Sequence, residues 1–87
     1  MLKKDKQEFI KMLIYKSNYM GCRENDIIFG RFASNNLHNM PDNKLLLYRD
    51  LLAENDANLF TWVTSQSPVP KKYSALIEKI IDYQLKF

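Results

Sequence analysis

The stretch YKSNYMGCRENDIIFGRFASNN, residues 15–36, sets the architecture of the chain. Apolar residues recur at helical spacing on both sides of Gly21, and glycine readily adopts the positive φ with which many helices end. The stretch therefore predicts two helices, over about residues 5–18 and 23–37, joined by a tight turn. A compact cluster of charge, Arg23-Glu24-Asn25-Asp26, follows the turn at once, although a turn alone does not require it.

The second predicted helix carries a glycine in its interior. Gly30 costs about 1 kcal/mol of helix stability relative to alanine. We therefore expect a packing reason for it, namely that another backbone comes close to the helix at this position.

The chain beyond residue 39 continues the helical spacing. Asp42 begins a predicted third helix that ends near Glu54, and Asp56 is a suitable N-cap for a short fourth helix over residues 57–65. The connector that follows contains two prolines and is not expected to be helical. A fifth helix, for which Ser74 is a possible cap, is predicted by the apolar residues Tyr73, Leu76, Ile77, Ile80, Ile81 and Leu85.

No segment alternates apolar and polar residues over the length of a strand. The chain also lacks internal repeats, low-complexity tracts and any composition shift that would mark a domain boundary. The sequence therefore predicts an all-α protein, a compact five-helix bundle that forms a single domain over residues 1–87.

Length and composition limit the possible functions. A chain of 87 residues can bury one modest core but is too short for a catalytic domain with a deep cleft. One cysteine, Cys22, excludes an internal disulfide, and with one histidine it is too few for a typical zinc site. No apolar run approaches the length of a membrane span, so we expect a cytoplasmic protein, or a mitochondrial matrix protein after removal of a targeting segment.

Charge is unevenly distributed along the chain. The net charge is +3, but residues 1–23 carry +4, residues 24–60 carry −3 and residues 61–87 carry +2. Such a distribution can steer an encounter with a charged partner, whether protein or nucleic acid.

The sequence offers little for catalysis. His38 has no aspartate or serine nearby in a triad arrangement, so we interpret it as a surface or helix-terminal residue. The two glycines are nine residues apart and form no phosphate-binding loop. Cys22 lies beside a basic residue near a helix N-terminus, which favours a thiolate and leaves a thiol-dependent enzyme as an alternative. The main expectation is that the chain is not an enzyme.

The charged cluster after the turn suggests a binding surface. Glu24 and Asp26 would interact favourably with the positive end of the helix dipole, by about 0.3–1 kcal/mol each. Arg23 would not, so the cluster is expected to serve a partner outside the chain. One alternative is a helix-turn-helix nucleic-acid binder in which Arg23, Asn25 and Arg31 reach bases or phosphates, although the two acids would then face the phosphates as well.

Two segments together resemble a known family. The segment Met20-Gly21-Cys22-Arg23-Glu24-Asn25-Asp26-Ile27, followed by Gly30-Arg31-Phe32-Ala33, resembles the R-G-x-x-E segment and the next helix of the succinate dehydrogenase assembly factors. These are small five-helix proteins that promote covalent flavin attachment. Downstream, NDANLFTWV at residues 55–63 is similar to their D-P-D-L-F-x-W-L stretch, and Ser67-Pro68-Val69-Pro70 to the proline connector after it. The resemblance covers about residues 9–72 and keeps the order and spacing of both motifs.

Two positions depart from the family pattern. Met20 stands where the family usually has arginine, so any contact made by that arginine is lost. Ala57 replaces the usual proline and leaves Asp56 available as a cap. The glycine and the glutamate of the first motif are retained.

The resemblance implies a binding protein for the flavoprotein subunit of succinate dehydrogenase, or of a related fumarate reductase, which promotes attachment of that subunit's FAD. It implies no stably bound cofactor in this chain, no nucleic-acid or membrane partner, and a monomer when free. Acidic residues would accept hydrogen bonds from the partner, arginines would offer forked donors, and aromatic residues would act as anchors. The predicted partner-binding residues are Met20, Gly21, Arg23, Glu24, Asp26, Arg31, Phe60 and Trp62.

Overall fold

A computed structural model describes residues 2–86, most of which lie in five α-helices. They are α1 (Lys3–Asn18), α2 (Arg23–Asn36), α3 (Asp42–Leu52), α4 (Asp56–Val63) and α5 (Ser74–Lys86). Short 3₁₀ turns, Leu37–Asn39 and Lys71–Tyr73, follow α2 and precede α5. No strand occurs within residues 2–86, so the predicted all-α five-helix fold is confirmed.

All five helices contribute to one apolar core. α1 and α2 share the most extensive contact between any two elements of the described chain, and α5 packs against both α2 and α4. In α1 the apolar residues Phe9, Ile10, Leu13 and Ile14 recur at helical spacing; Ile10 and Leu13 are buried, and Phe9 and Ile14 pack against the core at its edge. The buried apolar residues are Ile10, Leu13, Phe29, Phe32, Ala33, Leu37, Met40, Leu45, Tyr48, Leu51, Leu59, Trp62, Val63, Tyr73, Leu76, Ile77 and Ile80.

A buried hydroxyl pair links α1 to α3. The hydroxyl of Ser17 lies 2.6 Å from that of Tyr48, and it also donates to the main-chain carbonyl of Leu13 over 2.7 Å. Because burial disfavours the phenolate, the pKa of Tyr48 lies well above its ordinary value, an effect that the hydrogen bond with Ser17 only partly opposes. The pair satisfies two polar groups that the core would otherwise leave unbonded.

The N-cap of α4 is Asn55, not the predicted Asp56. The Asn55 side-chain oxygen accepts the main-chain N–H of Ala57 over 2.8 Å, and Asp56 is the first helical residue. Both residue types are good caps, and the chain places the break between helices one residue earlier than predicted. The Asp56 carboxylate is therefore not needed to cap the helix.

The same helix ends two residues earlier than predicted, at Val63. Ser65 adopts a left-handed conformation with φ of 60°, and its N–H bonds to the carbonyl of Trp62 over 3.2 Å. The N–H of Gln66 bonds to the carbonyl of Thr61 over 2.8 Å. This pair of bonds is a Schellman motif, which reverses the chain direction and stops the helix.

Two further sequence predictions need correction. Ser74 has helical dihedral angles (φ −54°, ψ −52°) and is the first residue of α5, because a 3₁₀ turn leads directly into the helix and no separate cap is formed. At Gly30 the close neighbour is the side chain of Asn18 and not a second backbone. An added Cβ would run into the amide oxygen of Asn18, so the glycine makes room for the end of α1.

No helix within residues 2–86 is both long enough and apolar enough to cross a bilayer. This agrees with the sequence, in which charged residues interrupt every apolar stripe.

Candidate protein-binding site

The chain bends sharply between α1 and α2. Gly21 has φ of +95°, a conformation that side chains with a Cβ rarely adopt, so the predicted positive φ is confirmed. The helix itself ends earlier than this glycine, at Asn18 with Tyr19 as its C-cap, so Gly21 shapes the turn and does not stop α1. Cys22 is extended, with φ of −116° and ψ of 119°, and α2 begins at the next residue. The bend is exposed at Gly21 and therefore accessible to a partner.

Asp26 holds the bend in place from inside α2. Its Oδ1 accepts the main-chain N–H of Met20 over 2.6 Å, a charge-assisted hydrogen bond across the turn. The side chain is half-buried. One oxygen of the predicted partner-binding carboxylate is thus engaged within the chain, and Asp26 also stabilises the local structure.

Glu24 projects from the start of α2 toward solvent. It is exposed, and its side-chain contact within the described chain is a weak one, 3.5 Å between its Oε2 and the Cys22 thiol. No described cation pairs with the carboxylate. Its hydrogen-bonding capacity is therefore available to a partner.

The second motif meets the bend in space. Asn25 is fully buried, and its Nδ2 donates to the main-chain carbonyl of Asp56 over 2.9 Å. The carboxylate of Asp56 lies beside Gly21, with Oδ2 3.7 Å from where a Cβ on that glycine would stand. The two motifs, 31 residues apart at this bond, thus form one continuous surface.

A groove of about 480 Å³ opens next to this surface, between the end of α1 and the end of α3. Two tyrosines border it, Tyr15 of α1 and Tyr19 just after this helix, with their ring centroids 4.7 Å apart. These two residues are 65% and 71% exposed, so they present a sizeable aromatic surface to solvent. The residues lining the groove are Leu13, Tyr15, Lys16, Tyr19, Met20, Arg49, Asp50, Leu52, Ala53 and Asp56.

Met20 joins the bend to this groove. Its side chain is half-buried and lines the groove, while its N–H is held by Asp26. An arginine at this position would have its backbone held in the same way, so the difference from the family pattern is confined to the side chain that borders the groove.

The other predicted binding residues are spread over α2 and α4. Arg23 and Arg31 are exposed on α2, and Phe60 is half-buried on α4. Trp62 is only 7% exposed and packs against Tyr73 with ring centroids 6.0 Å apart, so its indole belongs to the core in this conformation.

Sequence reasoning missed three residues of the site. Tyr15 of α1 and Tyr19, its C-cap, are four residues apart, and that spacing was an available signal, although aromatic residues are more often buried. Asp56 was read only as a cap, although it is the acidic residue at the start of the second motif.

The chemistry of this site is that of recognition. Within residues 2–86, no three His, Cys, Asp or Glu side chains come close enough to hold a metal ion, and His38 lies exposed on a 3₁₀ turn as the sequence predicts. What the site presents is an accessible carboxylate, a pair of exposed tyrosine rings in contact with each other, and a groove, features typical of protein interfaces. The fold and site together define a small all-α domain with a candidate protein-binding surface.

Comparison with known proteins gives the family. The chain belongs to the family described as "Flavinator of succinate dehydrogenase", whose family model matches residues 11–84. The resemblance noted in the sequence is thereby confirmed.

Curated relatives carry the name succinate dehydrogenase assembly factor 2, mitochondrial. The one from Dictyostelium discoideum is 32% identical over 76 residues, which cover 87% of this chain and 54% of the relative. The one from Candida glabrata is 36% identical over 76 residues, covering 82% and 50%, and the one from Mycosarcoma maydis is 35% identical over 65 residues, covering 75% and 27%. The chain thus spans about half the length, or less, of these relatives, and no solved structure matches it.

Proposed function

We propose that this protein binds the flavoprotein subunit of succinate dehydrogenase, or of a related fumarate reductase, and promotes the covalent attachment of its FAD. The family name and the names of the relatives support the proposal, since they describe a flavinator and an assembly factor of that enzyme. In this proposal the chain works in the compartment where the flavoprotein folds, which the relatives' names give as the mitochondrion.

The observation that carries the proposal is the meeting of the two motifs. Gly21 and Glu24 of the first motif share an exposed surface with Asp56 of the second, and the tyrosine-bordered groove lies beside it. A surface assembled from both motif segments, with an accessible carboxylate, has the features expected of the family's binding site. It therefore supports recognition of a folded protein.

The attachment reaction indicates what the partner must achieve. A histidine nitrogen of the flavoprotein bonds to the 8α-methyl carbon of FAD while that methyl group and the nitrogen each lose a proton, and the flavin takes up the electron pair and becomes reduced. The histidine and the flavin must be held in contact, and a proton must leave the methyl group. The flavoprotein can supply both reacting groups.

The role of this chain is then conformational. It binds the flavoprotein state in which histidine and flavin are aligned more tightly than other states, and so increases the population of that state. Glu24 accepts hydrogen bonds from flavoprotein donors, and the bend at Gly21 permits close approach of the partner backbone. No group of this chain needs to react.

Covalent flavin in the denatured flavoprotein provides the test. The flavoprotein is expressed with the wild-type chain, with Glu24→Ala, with Glu78→Ala or with no chain, and its in-gel flavin fluorescence is compared. Glu78 is an exposed acid of α5, far along the sequence from both motifs, and is the matched control. We expect covalent flavin to rise with the wild type and the control, and to fall by roughly tenfold with Glu24→Ala.

Two outcomes would contradict the proposal. One is equal flavin fluorescence with and without the wild-type chain. The other is full activity of Glu24→Ala, which would remove this carboxylate from the binding site. Circular dichroism of the purified variant checks that the helices are intact, as expected for an exposed side chain without an ion pair.

Position 20 gives a second test of the site. Met20 lines the groove, and the family usually has arginine there. We expect Met20→Arg to change the affinity for the flavoprotein by several-fold, measured by calorimetric titration. An unchanged affinity would mean that position 20 is outside the interface.

Helix-turn-helix nucleic-acid binding was one of the two alternatives that the sequence left open. Glu24 and Asp26 flank Arg23 at the start of α2, and a helix laid against DNA there would bring two carboxylates toward the phosphates. Together with the family match, this disfavours that alternative.

A further inference from the structure

A second exposed surface runs along α2, on residues that do not line the groove. Arg23, Ile27 and Arg31 follow one another at intervals of four residues, which places them along one side of the helix over about 12 Å. The two arginines are exposed, and Ile27 is 47% exposed between them. We call these three residues the arginine ridge.

The guanidinium groups of the ridge have no partner among the described residues. Arg49, the third arginine of the chain, is held by Asp50 with Nη2 3.1 Å from the carboxylate. Neither Arg23 nor Arg31 makes an ion pair or a side-chain hydrogen bond within residues 2–86. Both unpaired arginines of the chain therefore lie on one stripe of one helix.

The acids nearest in sequence form no ion pair with the ridge arginines within residues 2–86. Asp26 lies beside it, but one of its carboxylate oxygens is engaged by the N–H of Met20. Glu24 is exposed and forms no ion pair with either arginine. The ridge thus keeps two forked donors, each able to bind a carboxylate through two parallel hydrogen bonds.

Shallow hollows flank the apolar centre of the ridge. One, of about 440 Å³, is lined by all three ridge residues together with Asn18 and Asp26. The other, of about 240 Å³, is lined by Ile27, Arg31, Tyr83 and Gln84. An apolar side chain of a partner can settle beside Ile27 while carboxylates on either side reach the arginines.

We propose that the arginine ridge is a second contact for the flavoprotein, which meets it with an acidic segment. This segment carries two carboxylates about 12 Å apart, matching the rise of eight helical residues between the arginines, with an apolar side chain between them. The proposal rests on the function proposed above. Charge complementarity and the fork geometry of arginine select this occupant over a basic or purely apolar one.

The ridge is continuous with the motif surface at the bend. Asp26 lines the hollow on the ridge side, and its hydrogen bond holds Met20, which lines the groove on the other side. A protein that covers the bend therefore reaches both surfaces. The groove then supplies aromatic contact area, and the ridge supplies orientation and electrostatic steering.

Charge reversal with a matched control tests the proposal. Arg23→Glu/Arg31→Glu is compared with Lys4→Glu/Lys11→Glu, in which two exposed lysines of α1 are reversed and the net charge falls by the same four units. Binding to the flavoprotein is measured by calorimetric titration at low and at physiological salt. We expect the ridge variant to raise Kd by at least about tenfold and the lysine control to raise it by less than about threefold. This difference in Kd should shrink as the salt concentration rises.

The fork geometry is tested by Arg23→Lys/Arg31→Lys, which keeps both charges. We expect this variant to bind between wild type and the charge reversal, because lysine cannot make the bidentate contact. Binding equal to that of the wild type would overturn the carboxylate-fork assignment.

The outcomes separate this inference from the function on which it rests. If the wild-type chain binds the flavoprotein and raises its covalent flavin, but the ridge reversal weakens binding no more than the lysine control, the ridge proposal alone is wrong. If the wild-type chain neither binds nor raises covalent flavin, both proposals are wrong. Arg23 is the first residue of α2, and a glutamate there would interact favourably with the positive end of the helix dipole. This substitution is therefore not expected to unfold the protein.

Discussion

The side-chain amide of Asn25 joins α2 to α4 through a single buried hydrogen bond, with its Nδ2 2.9 Å from the main-chain carbonyl of Asp56. Its Oδ1 is also buried and has no donor among residues 2–86. Asn25 therefore joins the two motifs while leaving one buried acceptor without a hydrogen bond. The effect of these groups on the free energy of unfolding should be large enough to measure.

Asn25→Asp should be strongly destabilising at neutral pH. An ionised carboxylate would face the Asp56 carbonyl in a fully buried site, which we expect to cost about 2–4 kcal/mol of unfolding free energy. The introduced carboxyl should therefore have a folded-state pKa above its ordinary value near 4. Stability is then greatest below that ordinary pKa and is lost as the pH rises through the folded-state pKa, because the protonated form can donate to the carbonyl.

Urea unfolding at pH 4 and pH 7 measures this dependence, and Asn25→Ala is the control. The alanine variant should lose about 1–3 kcal/mol at both pH values, since it removes the donor without adding a titrating group. A deficit of Asn25→Asp that is the same at both pH values would contradict the buried-junction account.

Much of the fold follows from local sequence signals. The spacing of Ile10 and Leu13 defines the inner face of α1, and Gly21 marks the turn that follows this helix, because both features act over a few residues. The exact ends of α4 could not be predicted in this way. Asn55 and Asp56 are equally good caps, so the sequence does not decide between them. The left-handed residue that ends the helix is Ser65 and not a glycine, so no residue type marks this turn in the sequence.

The site was less predictable than the fold, because it depends on contacts between distant segments. The approach of Asp56 to Gly21 joins residues far apart in the chain and depends on how α4 packs against α2. Tyr15 and Tyr19 are exposed although aromatic residues are usually buried, and Trp62 is buried although it was expected to serve a partner. Only tertiary packing decides which aromatic residues stay accessible.

Ser65→Gly should stabilise the protein. Ser65 has φ of 60° at the position of the Schellman motif where glycine is strongly preferred. The free energy gained by removing the left-handed strain exceeds the free energy lost because glycine increases the entropy of the unfolded chain. We therefore expect the free energy of unfolding to rise by about 0.5–1 kcal/mol.

Thermal unfolding of Ser65→Gly and of Thr64→Gly provides the comparison. Thr64, the preceding residue, has φ of −99°, and its hydroxyl bonds to the carbonyl of Phe60, so glycine there has no strain to relieve. That control should lose about 0.5–1 kcal/mol. If both glycine variants shift the melting temperature in the same direction, the left-handed residue is not what limits this turn.

Gly30 and Asn18 should be energetically coupled. A Cβ at position 30 would meet the amide oxygen of Asn18 and lie 3.0 Å from its Cγ. Because the Asn18 side chain is exposed, it can rotate away, but it then gives up the 2.8 Å bond from its Nδ2 to the carbonyl of Ile14. We expect this loss to cancel most of the gain of about 1 kcal/mol that alanine brings to a helix interior.

A double-mutant cycle isolates this contact. In the wild-type background Gly30→Ala should change the unfolding free energy by less than about 0.5 kcal/mol, whereas in the Asn18→Ala background it should stabilise by about 1 kcal/mol. Equal effects in the two backgrounds would show that something other than Asn18 requires the glycine.

Tyr73 should make stability depend on alkaline pH. Its side chain is buried, and its hydroxyl donates to Oε2 of Glu54 over 2.9 Å. Burial, reinforced by this hydrogen bond and by the charge of Glu54, raises the pKa of Tyr73 to about 12, against an ordinary value near 10. The folded state therefore holds the phenolic proton over a pH range in which the unfolded chain has lost it.

Because the folded state keeps the phenolic proton of Tyr73 longer than the unfolded chain does, a rise in pH destabilises the folded state. Stability contributed by Tyr73 is fully present below pH 10 and is lost as the pH rises toward 12. Tyr73→Phe cannot titrate, but it loses the hydrogen bond to Glu54, so at pH 8 it should be less stable than wild type by about 1 kcal/mol. Urea unfolding from pH 8 to pH 11.5 should show this difference shrink, because only the wild type loses the contribution of Tyr73, while the other tyrosines and the lysines titrate in both proteins and cancel. A constant difference across this range would mean that the Tyr73 hydroxyl is not held in its neutral form by the fold.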